Sequence, residues 1–219
     1  MDRISRFEDI FNNFDNYHFH ILGCGAIGSS AATQLARSGA EKFTLYDFDK
    51  VDDANVGVSQ YNTPDIGKYK VDVLTDTLYE ICDDPIILHV REKFTDNCQY
   101  LPYGSDIIVL GFDNMESRLQ AVEIACSVKR LKPIILIDGR MGAQTYQQYV
   151  FTKPTVEKYK KCWYDDHEGS EEPCTAKATS YCSNMAGSFI TNAIAKIVTK
   201  QPFEKEIIFH FPSMVLMVK

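Results

Sequence analysis

Two short runs in this chain combine glycines and carboxylates at a spacing that suits a nucleotide. Gly23-Cys24-Gly25-Ala26-Ile27-Gly28 closes one apolar run and Leu45-Tyr46-Asp47-Phe48-Asp49 closes the next, with Gly23 and Asp47 24 positions apart. In such a strand-to-helix turn Gly23 permits the tight bend, Gly25 lets the backbone approach a phosphate, and Gly28 lets the helix lie close to the strand. The helix start then offers free N–H groups and a partial positive charge to an anion. Asp47 ends the following strand, where a ribose would lie, and Asp49 adds a second carboxylate beside it.

The glycine pattern alone also suits NAD enzymes, flavoproteins and methyltransferases. The residues that follow narrow the choice. Asp52-Asp53-Ala54-Asn55 leads to Gln60, then to Asp65-Ile66-Gly67-Lys68-Tyr69-Lys70, and Gly111-Phe112-Asp113-Asn114-Met115-Glu116-Ser117-Arg118 follows a later apolar run. A dehydrogenase needs one acidic residue after its second strand. Here there are further groups: Asn55 and Lys70, suited to phosphates, and Asp113, suited to Mg²⁺. The set fits a nucleoside triphosphate with magnesium. Taken singly, Lys70 reads as a solvated helix lysine and Asp113 as a helix N-cap.

These groups need an alternating scaffold. Apolar runs at 18–22, 42–46, 86–90, 106–110 and 133–137 read as strands, and helical patterns at 27–37, 64–81 and 115–130 lie between them. That order predicts a doubly wound α/β fold with a mostly parallel sheet covered on both faces. Residues 3–14 carry an aromatic stripe of helical period, within an N-terminal helix placed at 1–16. Residues 49–63 are long for a connection and read as a functional loop. Residues 144–151 alternate like an antiparallel strand, 152–175 read as an irregular crossover loop, 181–199 as a small-residue helix, and 206–211 and 214–218 as closing antiparallel strands.

The chain has 219 residues, enough for one α/β domain spanning 1–219, with 45% hydrophobic and 24% charged residues. A formal net charge of −7 argues against a general nucleic-acid or anionic-membrane binder. No apolar run approaches the roughly 20 residues of a membrane span, and the N-terminus lacks an apolar signal core, so a cytoplasmic protein is expected. The seven cysteines form no Cys-x-x-Cys pair, and a disulfide framework is not expected.

Between Phe19 and Gly139, and more loosely beyond, the sequence resembles the ThiF/MoeB/HesA family, which includes the activating enzymes of ubiquitin-like proteins. The resemblance implies ATP- and Mg²⁺-dependent adenylation of the C-terminal carboxylate of a ubiquitin-like or sulfur-carrier protein of β-grasp fold. It implies that Gly23, Gly25 and Gly28 form the nucleotide loop, that Asp47 holds the ribose, and that Asn55 and Lys70 contact the triphosphate. Asp113 would bind Mg²⁺, and Arg118 matches an arginine that often follows the Asp-Asn pair. A homodimer is expected on the same ground. One departure stands out. The family usually reads Asn-Leu-x-Arg-Gln, with its arginine on phosphate, where this chain has Asn55-Val56-Gly57-Val58-Ser59-Gln60. Arg118, Arg140, or Arg3 or Arg6 from a second subunit are the candidates to replace it.

Pro173-Cys174-Thr175-Ala176-Lys177 resembles, minus one spacer, the motif around the thioester-forming cysteine of these enzymes. Near a helix N-terminus and a lysine, a thiolate is favoured and is nucleophilic. Cys174 is therefore the candidate nucleophile for an acyl-adenylate, and an unreactive loop cysteine is its plain alternative. Cys182 reads as packing. Cys162, His167, Cys174 and Cys182 do not fall at usual ligand spacings, so no zinc is expected. His18 and His20, alternating around Phe19, read as ordinary strand residues. Trp163 and Tyr164 would either anchor a partner's tail or cover the core edge.

Three other functions stay open at this level: adenylation of a small molecule, peptide or modified base; a non-catalytic subunit that keeps the fold; and an NAD-dependent oxidoreductase. The last leaves Lys70 and the Asp-Asn pair without a role.

Overall fold

A computed structural model describes residues 3–98, 106–127, 134–165 and 178–219. Eight strands form one sheet: β1 (His18–Leu22), β2 (Lys42–Tyr46), β3 (Ile86–Val90), β4 (Ile107–Leu110), β5 (Ile135–Gly142), β6 (Thr145–Thr152), β7 (Glu206–His210) and β8 (Val215–Val218). Their spatial order is β3-β2-β1-β4-β5-β6-β7-β8. The first five run parallel and the last three are added antiparallel, each to its neighbour. The helices are α1 (Ala26–Arg37), α2 (Asp53–Val56), α3 (Lys70–Ile81), α4 (Met115–Ser127), α5 (Val156–Lys160) and α6 (Ser180–Val198).

The central strands are apolar along their length because helices cover both faces. Phe19, Ile21, Phe43, Leu45, Ile107 and Val109 pack on one side with α1 and α6. Leu22, Ile108, Leu110 and Leu136 pack on the other with Ala121, Val122 and Ala125 of α4 and Tyr159 of α5. The small-residue pattern of α6 has a physical purpose at Gly187, where a Cβ would stand 2.4 Å from Ser30 Oγ and 2.8 Å from the Ser30 carbonyl carbon. Only glycine lets α6 approach α1 that closely.

Four boundaries differ from the sequence expectation. Residues 3–10 form consecutive turns, followed by a 3₁₀ turn at Phe14–Asn16, and no N-terminal helix. Tertiary contacts override the helical pattern. Arg3 is drawn to the Ala36 and Ala40 carbonyls and the Glu41 carboxylate, and Phe7, Phe11, Phe14 and Phe19 stack in series onto the core. The helix expected from residue 64 starts at Lys70, because Pro64 sits in a 3₁₀ turn (Thr63–Asp65) and Gly67 takes φ +89°. β5 continues beyond its apolar run to Gly142, since antiparallel pairing with β6 extends to Gly142 and Thr145. The crossover segment is not wholly irregular: Thr155 accepts from the Lys158 N–H and caps α5.

Candidate functional site

The site lies at the carboxyl ends of β1, β2 and β4. β1 stands between β2 and β4, and the loops after β1 and β4 lead to α1 and α4 on opposite faces. Such a reversal opens a crevice where doubly wound sheets bind ligands. Gly23 N–H donates to the Tyr46 carbonyl at 2.9 Å and Gly111 N–H to the Leu22 carbonyl at 2.7 Å, so both loops continue the sheet's hydrogen bonding before they part.

The glycines divide by role. Gly23 has φ +91°, and a Cβ there would meet the Gly111 carbonyl at 2.8 Å. A Cβ on Gly28 would stand 1.8 Å from the Gly23 oxygen, and one on Gly111 2.7 Å from it. These three backbones interlock. Gly25, the N-cap of α1, faces open space, with nothing within 4 Å of a Cβ. Gly25 is thus the glycine whose missing side chain leaves room for a ligand. Gly111 carries as much of the loop geometry as Gly28, and its place just after the fourth apolar run was its signal in the sequence.

Asp47 is gripped by backbone. Its Oδ2 accepts from the Cys24 N–H and its Oδ1 from the Asp49 N–H, each at 2.8 Å. Burial raises its carboxyl above the ordinary value, against the opposing pull of the Asp49 N–H, the Lys70 charge and the Cys24 N–H. Lys70, 8% exposed, opens α3 and extends its Nζ to Asp49 Oδ2 at 3.0 Å. Asn55 closes a capping box on α2: its N–H donates to Asp52 Oδ1 at 2.8 Å and its Oδ1 accepts from the Asp52 N–H at 3.1 Å. The Asn55 carbonyl oxygen is thereby occupied. Loop 49–63 is not loose. Gln60 N–H donates to Ser29 Oγ at 3.1 Å, Gln60 Nε2 to Asn184 Oδ1 at 2.8 Å, and Ser183 Oγ to the Val58 carbonyl at 2.7 Å.

After β4 the N-cap work belongs to Asn114, whose Oδ1 accepts from the Ser117 N–H at 2.7 Å. Asp113 is exposed and, among the described residues, accepts a local bond from Asn114 Nδ2 at 3.1 Å. An exposed carboxylate released from capping, at the mouth of the crevice, suits a hard divalent cation such as Mg²⁺.

The arginines behave differently from the expectation. Arg118 is buried and bonds to Asp138, to the Gly139 carbonyl and to the Phe112 carbonyl. Arg140 is buried too. It reaches Asp138 Oδ2 at 2.8 Å and the Cys162 carbonyl at 2.8 Å, and its guanidinium lies over the Tyr149, Tyr164 and Tyr159 rings. Asp138 has no exposure and accepts a third partner, Tyr159 Oη, at 3.0 Å. Both guanidiniums are thus turned inward to brace the β4–α4 loop and α5 against β5. Arg3 is engaged on the end of α1, and Arg6 is exposed. This buried network was not anticipated; its signal was Asp138-Gly139-Arg140 directly after an apolar run.

Trp163 donates its Nε1–H to the Met115 carbonyl at 2.8 Å and packs beside the α4 core, covering the core edge. Cys182 is buried inside α6, with its thiol pushed up to about 11 by burial, as a packing cysteine should be. Cys174 and His167 lie outside the described residues, so the candidate nucleophile has no geometry here.

With fold and site in place, the molecule is a doubly wound α/β protein with a glycine-rich loop at the switch point of its sheet. The chain belongs to the ThiF family, whose model matches residues 6–214. It is similar to ubiquitin-like modifier-activating enzyme 5 of Arabidopsis thaliana, 30% identical over 139 residues that make up 56% of this chain and 32% of that protein. It is also similar to tRNA threonylcarbamoyladenosine dehydratase of Haemophilus influenzae, 26% identical over 206 residues, covering 78% of this chain and 77% of that one. The chain spans about a third of the length of the activating-enzyme relatives it matches. Among solved structures, the microcin C7 biosynthetic enzyme MccB in complex with N-formylated MccA shares the fold at a TM-score of 0.79 and 16% identity, covering 99% of this chain and 71% of that one. Among the described residues no helix is long and apolar enough to cross a membrane.

Proposed function

We propose that this protein adenylates a carboxylate with ATP, and that the carboxylate is the C-terminus of a ubiquitin-like or sulfur-carrier protein. The observation that carries the reading is the Asp47 carboxylate, fixed by the Cys24 and Asp49 N–H groups beside an open Gly25 and next to the Lys70–Asp49 pair. Asp47 would accept the ribose hydroxyls. The N-terminus of α1 would face the phosphates across Gly25. Lys70 would leave Asp49 for the polyphosphate and offset charge on departing pyrophosphate. Asp113 would hold Mg²⁺, which when bound supplies further positive charge at the phosphates.

The partner's carboxylate oxygen attacks the α-phosphorus, forming one O–P bond as the bond to pyrophosphate breaks. The protein's part is alignment and charge, not covalent chemistry. In a following step the Cys174 thiolate would attack the acyl-adenylate, form a thioester and release AMP. Arg118 and Arg140 position the loops through Asp138, so the phosphate arginine of the family has no described replacement on this chain, and Arg6 of a second subunit in a homodimer is the candidate left.

A second reading has a specific observation behind it: the tRNA dehydratase match extends over most of both chains. On that reading the same nucleotide site activates a small or base-attached carboxylate. An inactive subunit is disfavoured by the retention of Asp47, Asn55, Lys70 and Asp113 together.

Thermal unfolding with Mg·ATP, ATP plus EDTA, NAD⁺ and S-adenosylmethionine tests the core of the proposal. At a hundred times Kd a ligand adds about 2.7 kcal/mol, which raises Tm by about 5–10 °C in a chain of this size. A rise with Mg·ATP alone is expected. A rise with NAD⁺ alone overturns it. ATP–pyrophosphate exchange driven by a carrier protein, rather than by a modified tRNA, separates the two readings.

A further inference from the structure

At the end of the sheet opposite the nucleotide loops, His18 and His20 project from the same face of β1. Their rings stack at 4.6 Å with an interplanar angle of 18°. His20 Nε2 stands 2.9 Å from Asp106 Oδ2, just before β4, and His18 Nε2 stands 2.7 Å from Thr44 Oγ1 on β2. One donor atom from each of His18, His20 and Asp106 lies within 4.8 Å of the other two. His20 is 2% exposed and Asp106 4%, whereas His18 is half-buried and opens the cluster to solvent.

A second observation concerns the remaining nitrogen of His20. Nδ1 is buried without a hydrogen-bond partner among the described residues. With no acceptor fixing a proton at that nitrogen, Nδ1 can carry the ring's single proton while Nε2 turns its lone pair to an ion. Two imidazoles and a carboxylate converging there form a donor set of nitrogen and oxygen, which suits a divalent ion of borderline softness.

We propose that His18, His20 and Asp106 bind one divalent transition-metal ion, zinc being the ion whose geometry the set fits. Zinc bonds of about 2.0–2.2 Å hold tetrahedral ligands about 3.4 Å apart, so side-chain rotations of the order of 1 Å draw the three donors onto one ion. Thr44 Oγ1, beside His18, or a water takes the fourth position. On binding, the proton held between His20 Nε2 and Asp106 Oδ2 shifts to His20 Nδ1, which leaves Nε2 and the Asp106 carboxylate deprotonated to ligate the ion. The ion would pin the amino-terminal ends of β1 and β4 together, with β2 beside them. The proposal departs from the reading of both histidines as ordinary strand residues and from the expectation of a zinc-free chain, and it is independent of the nucleotide site.

The test uses the full chain after treatment with a chelator, titrated with Co²⁺ as a coloured probe and then with Zn²⁺. One equivalent of Co²⁺ with visible d–d bands is expected, without the near-ultraviolet charge-transfer band of a thiolate ligand, and displaced by Zn²⁺. His18→Gln, at the half-exposed ligand, should weaken binding at least tenfold while circular dichroism stays native. Asp106→Asn should do the same, and Glu157→Gln, at an exposed carboxylate of α5, should leave binding unchanged. A thiolate band, undiminished binding in His18→Gln, or no binding by the wild-type chain each overturns the site. His18→Gln carries the decision if the buried variant does not fold.

Discussion

Lys70 and Asp49 are joined twice. The Lys70 backbone N–H donates to the Asp49 carbonyl at 3.0 Å, and Lys70 Nζ meets Asp49 Oδ2 at 3.0 Å. The backbone bond fixes where α3 begins, and the side-chain pair holds the ammonium at the edge of the candidate site. Because Asp49 is half exposed while Lys70 is nearly buried, the lysine can exchange one anion for another without moving its helix.

Lys70→Ala and Asp113→Ala should therefore fold with Tm close to wild type, since neither completes the core. Both should lose at least a hundredfold in ATP–pyrophosphate exchange, an effect of about 2.7 kcal/mol on the reaction. Wild-type exchange in both variants would remove these residues from the mechanism.

Gly25 and Gly28 should separate ligand binding from folding. Gly25→Ala has open space for its methyl group, so stability should hold while the Mg·ATP-dependent rise in Tm shrinks. Gly28→Ala drives a Cβ to 1.8 Å from the Gly23 oxygen and should unfold or strongly destabilise the protein before any ligand is added. Equal melting of the two variants would show that the glycine interlock is misassigned.

Asp138→Ala leaves the Arg118 and Arg140 guanidiniums buried without their shared counter-charge. Breaking such a pair costs about 3–5 kcal/mol, or about 6–20 °C in Tm for a chain of this size. Urea denaturation should give the same loss. A change within 2 °C would contradict the bracing role assigned to this network.

Alkaline pH should destabilise the fold through tyrosines. Burial pushes Tyr149 up to about 12, against the pull of Arg140, and raises Tyr61, Tyr146 and Tyr159 well above the usual phenol value. In the unfolded chain these groups ionise near 10. Between the two values the native state holds more protons, so stability present below pH 10 is lost as pH rises. Urea midpoints at pH 8, 10 and 11 should fall in that order, with a shallower fall in Tyr149→Phe. An unchanged slope in that variant would mean that Tyr149 takes no part.

The sequence by itself determined the order of strands and helices along the chain, the glycine loop, and the placement of Asp47 and Asp113 just past strand ends. These follow from short-range patterns: apolar runs, glycines at turns, and carboxylates one to three residues past a strand. The same local logic failed where distant residues decide. Residues 3–10 carry a helical stripe, yet Arg3 and the stacked phenylalanines hold them in turns. Arg118 and Arg140 looked available for phosphate until Asp138 and Tyr159, 20 and 19 positions from Arg118 and Arg140 respectively, closed around them. His18 and His20 meant little until the parallel pairing of β1 with β4 carried Asp106 to His20 across 86 positions. A side chain's type is written in the chain, but its partner is chosen by tertiary packing, and the partner decides whether a charge braces the core or faces a ligand.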